Sequence, residues 1–157
     1  MAEINLKNSS SFLTREDIGI IEKELKIIIP KEMQDFYLKF NGGIPNRKYF
    51  FVPQYVDNLK IRFFKFFKFE NSKSLTIEES YNNGIKRGFL YQNLIPFAND
   101  DGGNYFCINN EGKTFYYAID AWTDSLTNEE NIKENLILLA NSFNEFIDKL
   151  TSKPTYK

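Results

Sequence analysis

The residues whose types and spacing could do chemistry are Asp100-Asp101-Gly102-Gly103-Asn104, with Asp120 and Asp124 further along the chain. Two acids beside flexible backbone could hold a hard cation through oxygen ligands. Asp100 or Asp101 together with Asp120 could instead serve a carboxylate-dependent hydrolase. The pattern argues against both. A calcium loop needs oxygen donors at alternate positions and a later glutamate, and the series Asn99, Asp101, Gly103 fails at its third member. Acid and base roles for adjacent carboxylates would require widely separated pKa values. Turn chemistry explains the same residues: glycine supplies positive φ, while Asp and Asn bond to nearby backbone N–H groups.

The side chains that are missing exclude more. The chain has no histidine, which removes the commonest general base near neutral pH and the commonest metal ligand. A Ser-His-Asp or Cys-His arrangement cannot be assembled, nor can a helical two-histidine zinc motif. Cys107 is the sole cysteine, so there is no internal disulfide and no Cys/His structural zinc site. It is expected to be a small buried hydrophobe on a strand. No catalytic residue, cofactor or metal ligand is therefore assigned.

Ile61-Arg-Phe-Phe-Lys-Phe-Phe-Lys-Phe69 interleaves cations with rings, as a groove for single-stranded nucleic acid would. A net charge of −1 gives no general attraction for a polyanion, and a sheet strand is the simpler reading, so nucleic acid is disfavoured. Charge is nevertheless unevenly placed. Residues 47–75 hold seven basic and two acidic side chains, a net +5; residues 99–134 hold two basic and eight acidic, a net −6. An acidic surface speeds encounter with a basic partner and suppresses wrong ones. Asp100, Asp101, Asp120 and Asp124 are the candidate partner contacts. Trp122 joins them, because tryptophan is enriched at binding hot spots, although its indole could equally cap the core.

These residues need elements to hold them. Thr14-Arg-Glu-Asp17 has capping-box spacing and opens a helix over about 14–27; Pro30 starts a second, with Met33, Phe36, Tyr37 and Phe40 on one face and Gly42-Gly43 ending it. Strands are expected over 49–52 and 60–70. A short helix should run from Thr76 to about Asn82-Asn83-Gly84. A β-meander follows, with strands at 94–98, 104–108 and 114–119 joined by Asn99–Gly103 and Asn109–Gly112. From Thr127 the apolar positions Ile132, Leu136, Leu139, Phe143, Phe146 and Leu150 recur at helical spacing, predicting one long terminal helix packed on the sheet, with Lys149 near its C-terminal end. Residues 153–157 read as a loose tail. The expectation is one α+β domain over 1–157, its core at about 14–150. Its sheet is mostly antiparallel, flanked by N-terminal helices and a long C-terminal helix.

Met1 to Asn8 carry Glu3 and Lys7 and no apolar run, so neither an export signal nor a membrane span is read there and a cytoplasmic location is expected. The abundance of Lys, Asn and Ile suits an AT-rich, bacterial genome.

Three segments together resemble the SUKH superfamily, the Smi/Knr cell-wall-assembly-regulator family and its bacterial relatives. Ile29-Pro30 leads through Phe36-Tyr37 to Asn41-Gly42-Gly43-Ile44-Pro45; Ile95-Pro-Phe-Ala-Asn-Asp-Asp-Gly-Gly-Asn-Tyr-Phe-Cys-Ile108 is similar to the most recognisable family motif; Ala140-Asn-Ser-Phe-Asn-Glu-Phe-Ile-Asp-Lys-Leu150 is similar to the terminal segment. The motif residues given a structural role by this resemblance are Pro30, Asn41, Gly42, Gly43, Gly102, Gly103, Asn104, Phe143 and Phe146. Many relatives carry an acidic residue and a histidine after the last meander strand, whereas this chain reads Ile119-Asp120-Ala121-Trp122, so no role of that histidine transfers. The resemblance implies an α+β fold. It also implies that the partner is a protein: for bacterial members a cognate toxin, such as a nuclease, that the immunity protein neutralises; for eukaryotic relatives, the machinery regulating cell-wall synthesis. An intracellular scaffold or regulator is the alternative function, and the carboxylate-dependent hydrolase ranks last.

Overall fold

In the computed structural model of the protein, residues 3–52, 58–63 and 76–154 are described. In chain order the elements are β1 (Leu6–Lys7), α1 (Arg15–Leu25), α2 (Lys31–Lys39), β2 (Ile44–Pro45), β3 (Tyr49–Phe51), β4 (Asn58–Lys60), β5 (Arg62–Phe63), α3 (Ile77–Arg87), β6 (Ile95–Asn99), β7 (Tyr105–Ile108), β8 (Thr114–Tyr117), α4 (Asn128–Glu134), β9 (Leu136–Ala140) and α5 (Phe143–Lys149). A 3-10 turn at Ile119–Ala121 follows β8. β1 pairs with β2 and β3 with β4, while a five-stranded sheet runs in the order β5-β6-β7-β8-β9. Every strand pairing among the described residues is antiparallel, in keeping with the expected mostly antiparallel sheet.

Local chemistry accounts for most boundaries. Thr14 and Asp17 form the reciprocal capping box that opens α1, with Asp17 N–H donating to Thr14 Oγ1 at 3.2 Å and Thr14 N–H to Asp17 Oδ2 at 2.8 Å. Pro30 stands one position before the first helical residue of α2, which buries Met33, Phe36 and Tyr37. α3 runs past the expected stop at Gly84 to Arg87, and Gly88 at φ 80° caps it instead. Gly84 is in the helix for a packing reason: a Cβ there would lie 2.1 Å from Leu90 Cδ1. The expected strand over 60–70 is split at Ile61 between the end of β4 and the two residues of β5, and its residues 64–70 lie outside the described ones, as do 155–157 of the expected tail.

The central sheet is apolar on both faces, and strand alternation sorts its side chains between two clusters. Phe106, Ile108 and Tyr116 face a large cluster with Phe36, Phe97, Phe143 and Phe146, while Cys107 and Tyr117 face a smaller one with Leu90, Leu94 and Ile132. Phe146 is fully buried, stacked on Phe50 at 5.0 Å between ring centroids and edge-on to Phe97 at 5.5 Å. Among the described residues, most aromatic rings thus lie in these clusters or pack against them. Cys107 is buried, as its strand position suggested.

The expected long C-terminal helix is corrected. Residues 128–149 form α4, then β9, then α5. Leu136–Ala140 is an unbroken apolar run, and in β9 it gains a backbone ladder against β8, with Phe115 opposite Leu138 and Tyr117 opposite Leu136. Asn135 ends α4 and Ser142 opens α5, its hydroxyl accepting from Glu145 N–H at 3.1 Å. Helical spacing persisted across the strand by coincidence. Phe143 and Phe146 reach the core from α5, and Lys149 Nζ donates to Leu139 O at 3.1 Å.

Candidate functional site

The acidic loop between β6 and β7 is organised by Asp100. Its Oδ1 accepts from Gly102 N–H at 2.9 Å and Asn104 N–H at 3.0 Å, and its Oδ2 accepts from the Tyr116 hydroxyl at 2.5 Å. Three donors therefore engage this carboxylate within the fold. Asn104 is buried, and its Oδ1 accepts from Asp120 N–H at 3.0 Å. That bond ties the hairpin end to the 3-10 turn after β8 and brings the Asp100-Asp101 loop beside Asp120. The Gly-Gly-Asn segment thus joins two loops 16 residues apart.

A second buried asparagine positions Asp124. Asn131, on α4, accepts from Thr123 N–H at 2.8 Å and donates to Thr123 O at 2.8 Å and Thr127 O at 3.2 Å. It fixes the loop that carries Asp124 to the helix. Sequence reading missed this residue; the signal available was a weak helix former just inside a strongly capped helix. Trp122 is half-buried and packs on the smaller cluster, so its indole does part of the core-capping job while an edge stays open.

Exposed at the surface are Asp101, Asp120 and Asp124, joined by Glu129, Glu130 and Glu134 of α4. Neither Asp120 nor Asp124 has a side-chain hydrogen bond or ion pair among the described residues. Asp101 lies where acid meets base. Its carboxylate is 4.0 Å from Lys60 Nζ, and a cleft of about 410 Å³ at this boundary is lined by Lys48, Lys60, Arg62, Asn99, Asp100 and Asp101 with Ile44 and Ile61.

The bond to Asp100 has a measurable consequence for stability. Replacing Asp100 with alanine leaves the buried Tyr116 hydroxyl without that acceptor and frees two loop N–H groups; a loss of about 2 kcal/mol of stability is expected, read as a lower denaturation midpoint. Asn at the same position keeps an acceptor and is expected to recover part of it.

Burial, then the Asp100 hydrogen bond and charge, push the Tyr116 hydroxyl well above its ordinary value; burial does the same to Tyr117, Tyr37 and the Cys107 thiol. Each group holds its proton more tightly folded than unfolded, so its contribution is fully present below the ordinary values of 9.0 for the thiol and 10.0 for the tyrosines. Above those values the unfolded chain sheds protons first, and stability falls as pH rises. Thermal midpoints should hold steady to about pH 8.5 and drop beyond it, with tyrosinate absorbance from these rings appearing only on unfolding.

Among the described residues no group of three or more His, Cys, Asp or Glu is arranged to hold a metal ion, and no helix is long and apolar enough to cross a membrane. The model of the SMI1 / KNR4 family (SUKH-1) matches residues 13–149 of the 157. No curated protein matches the chain.

Proposed function

Because the chain belongs to the SMI1 / KNR4 family (SUKH-1), we propose that it is a bacterial immunity protein that binds a cognate toxin stoichiometrically and blocks it, without covalent chemistry or cofactor. The observation that carries this reading is the presentation of Asp101, Asp120, Asp124 and an edge of Trp122 on loops anchored to the sheet and α4 by Asn104 and Asn131. Loops held this way keep their charges in place before a partner arrives, so little ordering entropy is lost on binding. A surface rich in carboxylates complements a basic protein, and a toxin that grips phosphates, as a nuclease does, is basic around its site. Occlusion of that site then needs only a fit of shape and charge.

Deleting the gene and exposing the cells to the toxin made by neighbouring cells tests the proposal. Deletion should make the cells sensitive, and the restored gene should protect them. Unchanged sensitivity would overturn the immunity role and favour an intracellular regulator or scaffold with several partners.

A further inference from the structure

The cleft beside the hairpin tip has the wrong charge for the basic partner just described, and this gives it a use of its own. Lys48, Lys60 and Arg62 converge on it from β4, β5 and the approach to β3, and Asn99 adds an amide. Tyr49 pairs in register with Lys60, and its ring has the ammonium groups of Lys60 and Lys48 at 6.0 and 5.7 Å from its centroid. That contact holds two flexible cations toward one place. Among the described residues, Lys48 and Arg62 have no carboxylate within ion-pair distance. Lys60 has only Asp101, at 4.0 Å, with 82% of the Asp101 side chain exposed. Such a long, exposed pair is weak and easily exchanged.

We propose that this cleft is a receptor for a single carboxylate side chain on the partner protein, with Asp101 standing in as the counter-ion of Lys60 until the partner arrives. The charge count selects the ligand. Three cations and the two carboxylates Asp100 and Asp101 leave the lining at +1, which suits one monoanion and disfavours a multiply charged phosphate. On binding, the partner's carboxylate takes Lys60 and Arg62, and Asp101 is released to a cation of the partner. The acidic surface thereby acquires one inverted position, and a partner lacking an acid there meets unpaired cations; such mismatches give discrimination more than affinity. This inference rests on the proposed toxin-binding role, but its test needs no toxin.

The probe is the blocked tripeptide acetyl-Gly-Glu-Gly-amide, titrated at constant ionic strength into isotope-labelled protein and followed by amide chemical shifts. Saturable shifts are expected at Lys60, Arg62, Asn99 and Asp101, with a dissociation constant on the order of 10 mM. The Gln-containing peptide should produce none. Lys48→Gln plus Arg62→Gln should abolish the saturation, while Asp101→Asn should tighten binding about threefold by removing the competing acid. Equal shifts from the Gln peptide, an unchanged affinity in Asp101→Asn, or tighter binding of inorganic phosphate would each overturn the proposal. Because the readout uses the isolated protein, failure here leaves the toxin-binding role standing, and failure of that role leaves the carboxylate site measurable.

Discussion

Gly43→Ala is expected to cost about 4 kcal/mol, a large share of the roughly 5–15 kcal/mol that holds a domain of ordinary stability folded. Gly43 lies where three chain segments meet. Its backbone exchanges hydrogen bonds with Phe63, at 3.1 and 2.9 Å, and its φ of 121° is one that L side chains rarely adopt. A Cβ built there would stand 2.3 Å from Lys7 O, a backbone atom that cannot swing aside. Relief would have to come from separating β1 from β2 or from breaking the bridge to Phe63, which aligns β5 beside β6. The neighbouring motif residues add to the crossing: Asn41 is buried and donates to Ser11 O at 3.0 Å, and Gly42 O accepts from the Ser9 hydroxyl at 2.7 Å. Urea unfolding followed by circular dichroism reads the loss, and a variant within 1 kcal/mol of the parent would contradict this account of the Asn-Gly-Gly segment.

The second large effect is on binding. Asp120→Lys combined with Asp124→Lys changes the acidic surface by four charge units without removing any side-chain bond among the described residues, so folding should be untouched. Association with a basic toxin is expected to slow about tenfold at low salt, and affinity to fall about 10- to 100-fold. The difference from the parent should shrink as salt rises, because screening removes what the carboxylates contributed. Asp100 is unsuited to this test, since its carboxylate organises the hairpin and a change there would mix folding with binding. Stopped-flow association at two salt concentrations separates steering from contact energy.

How much of this was legible in the sequence depended on how far apart the interacting residues lie. α1, α2 and the meander could be read because caps and turns are chemistry among residues a few positions apart, as in Thr14 with Asp17. β9 could not, because Leu136–Ala140 satisfies a helical stripe and a buried strand equally well, and pairing with β8 decided between them. Ser142-Phe-Asn-Glu145 repeats the capping spacing recognised elsewhere and could have revealed the break. The acidic cluster was visible as a charge count. Which acids were committed was not, because Asp100 meets Tyr116 and Asn104 meets Asp120 across 16 residues of chain. The charge count likewise placed base and acid in separate stretches of chain, 47–75 and 99–134, whereas pairing of β5 with β6 sets Arg62 opposite Asn99 and brings base and acid together at one hairpin.

The most direct test of the central claim is co-purification of the tagged protein with the toxin domain encoded beside its gene, at low and at high salt, with the Asp120→Lys plus Asp124→Lys variant alongside. The account predicts a one-to-one complex that weakens with salt and is lost in the variant. Recovery of no toxin, or equal recovery by the variant at both salt concentrations, would contradict a partner-binding role for this acidic surface.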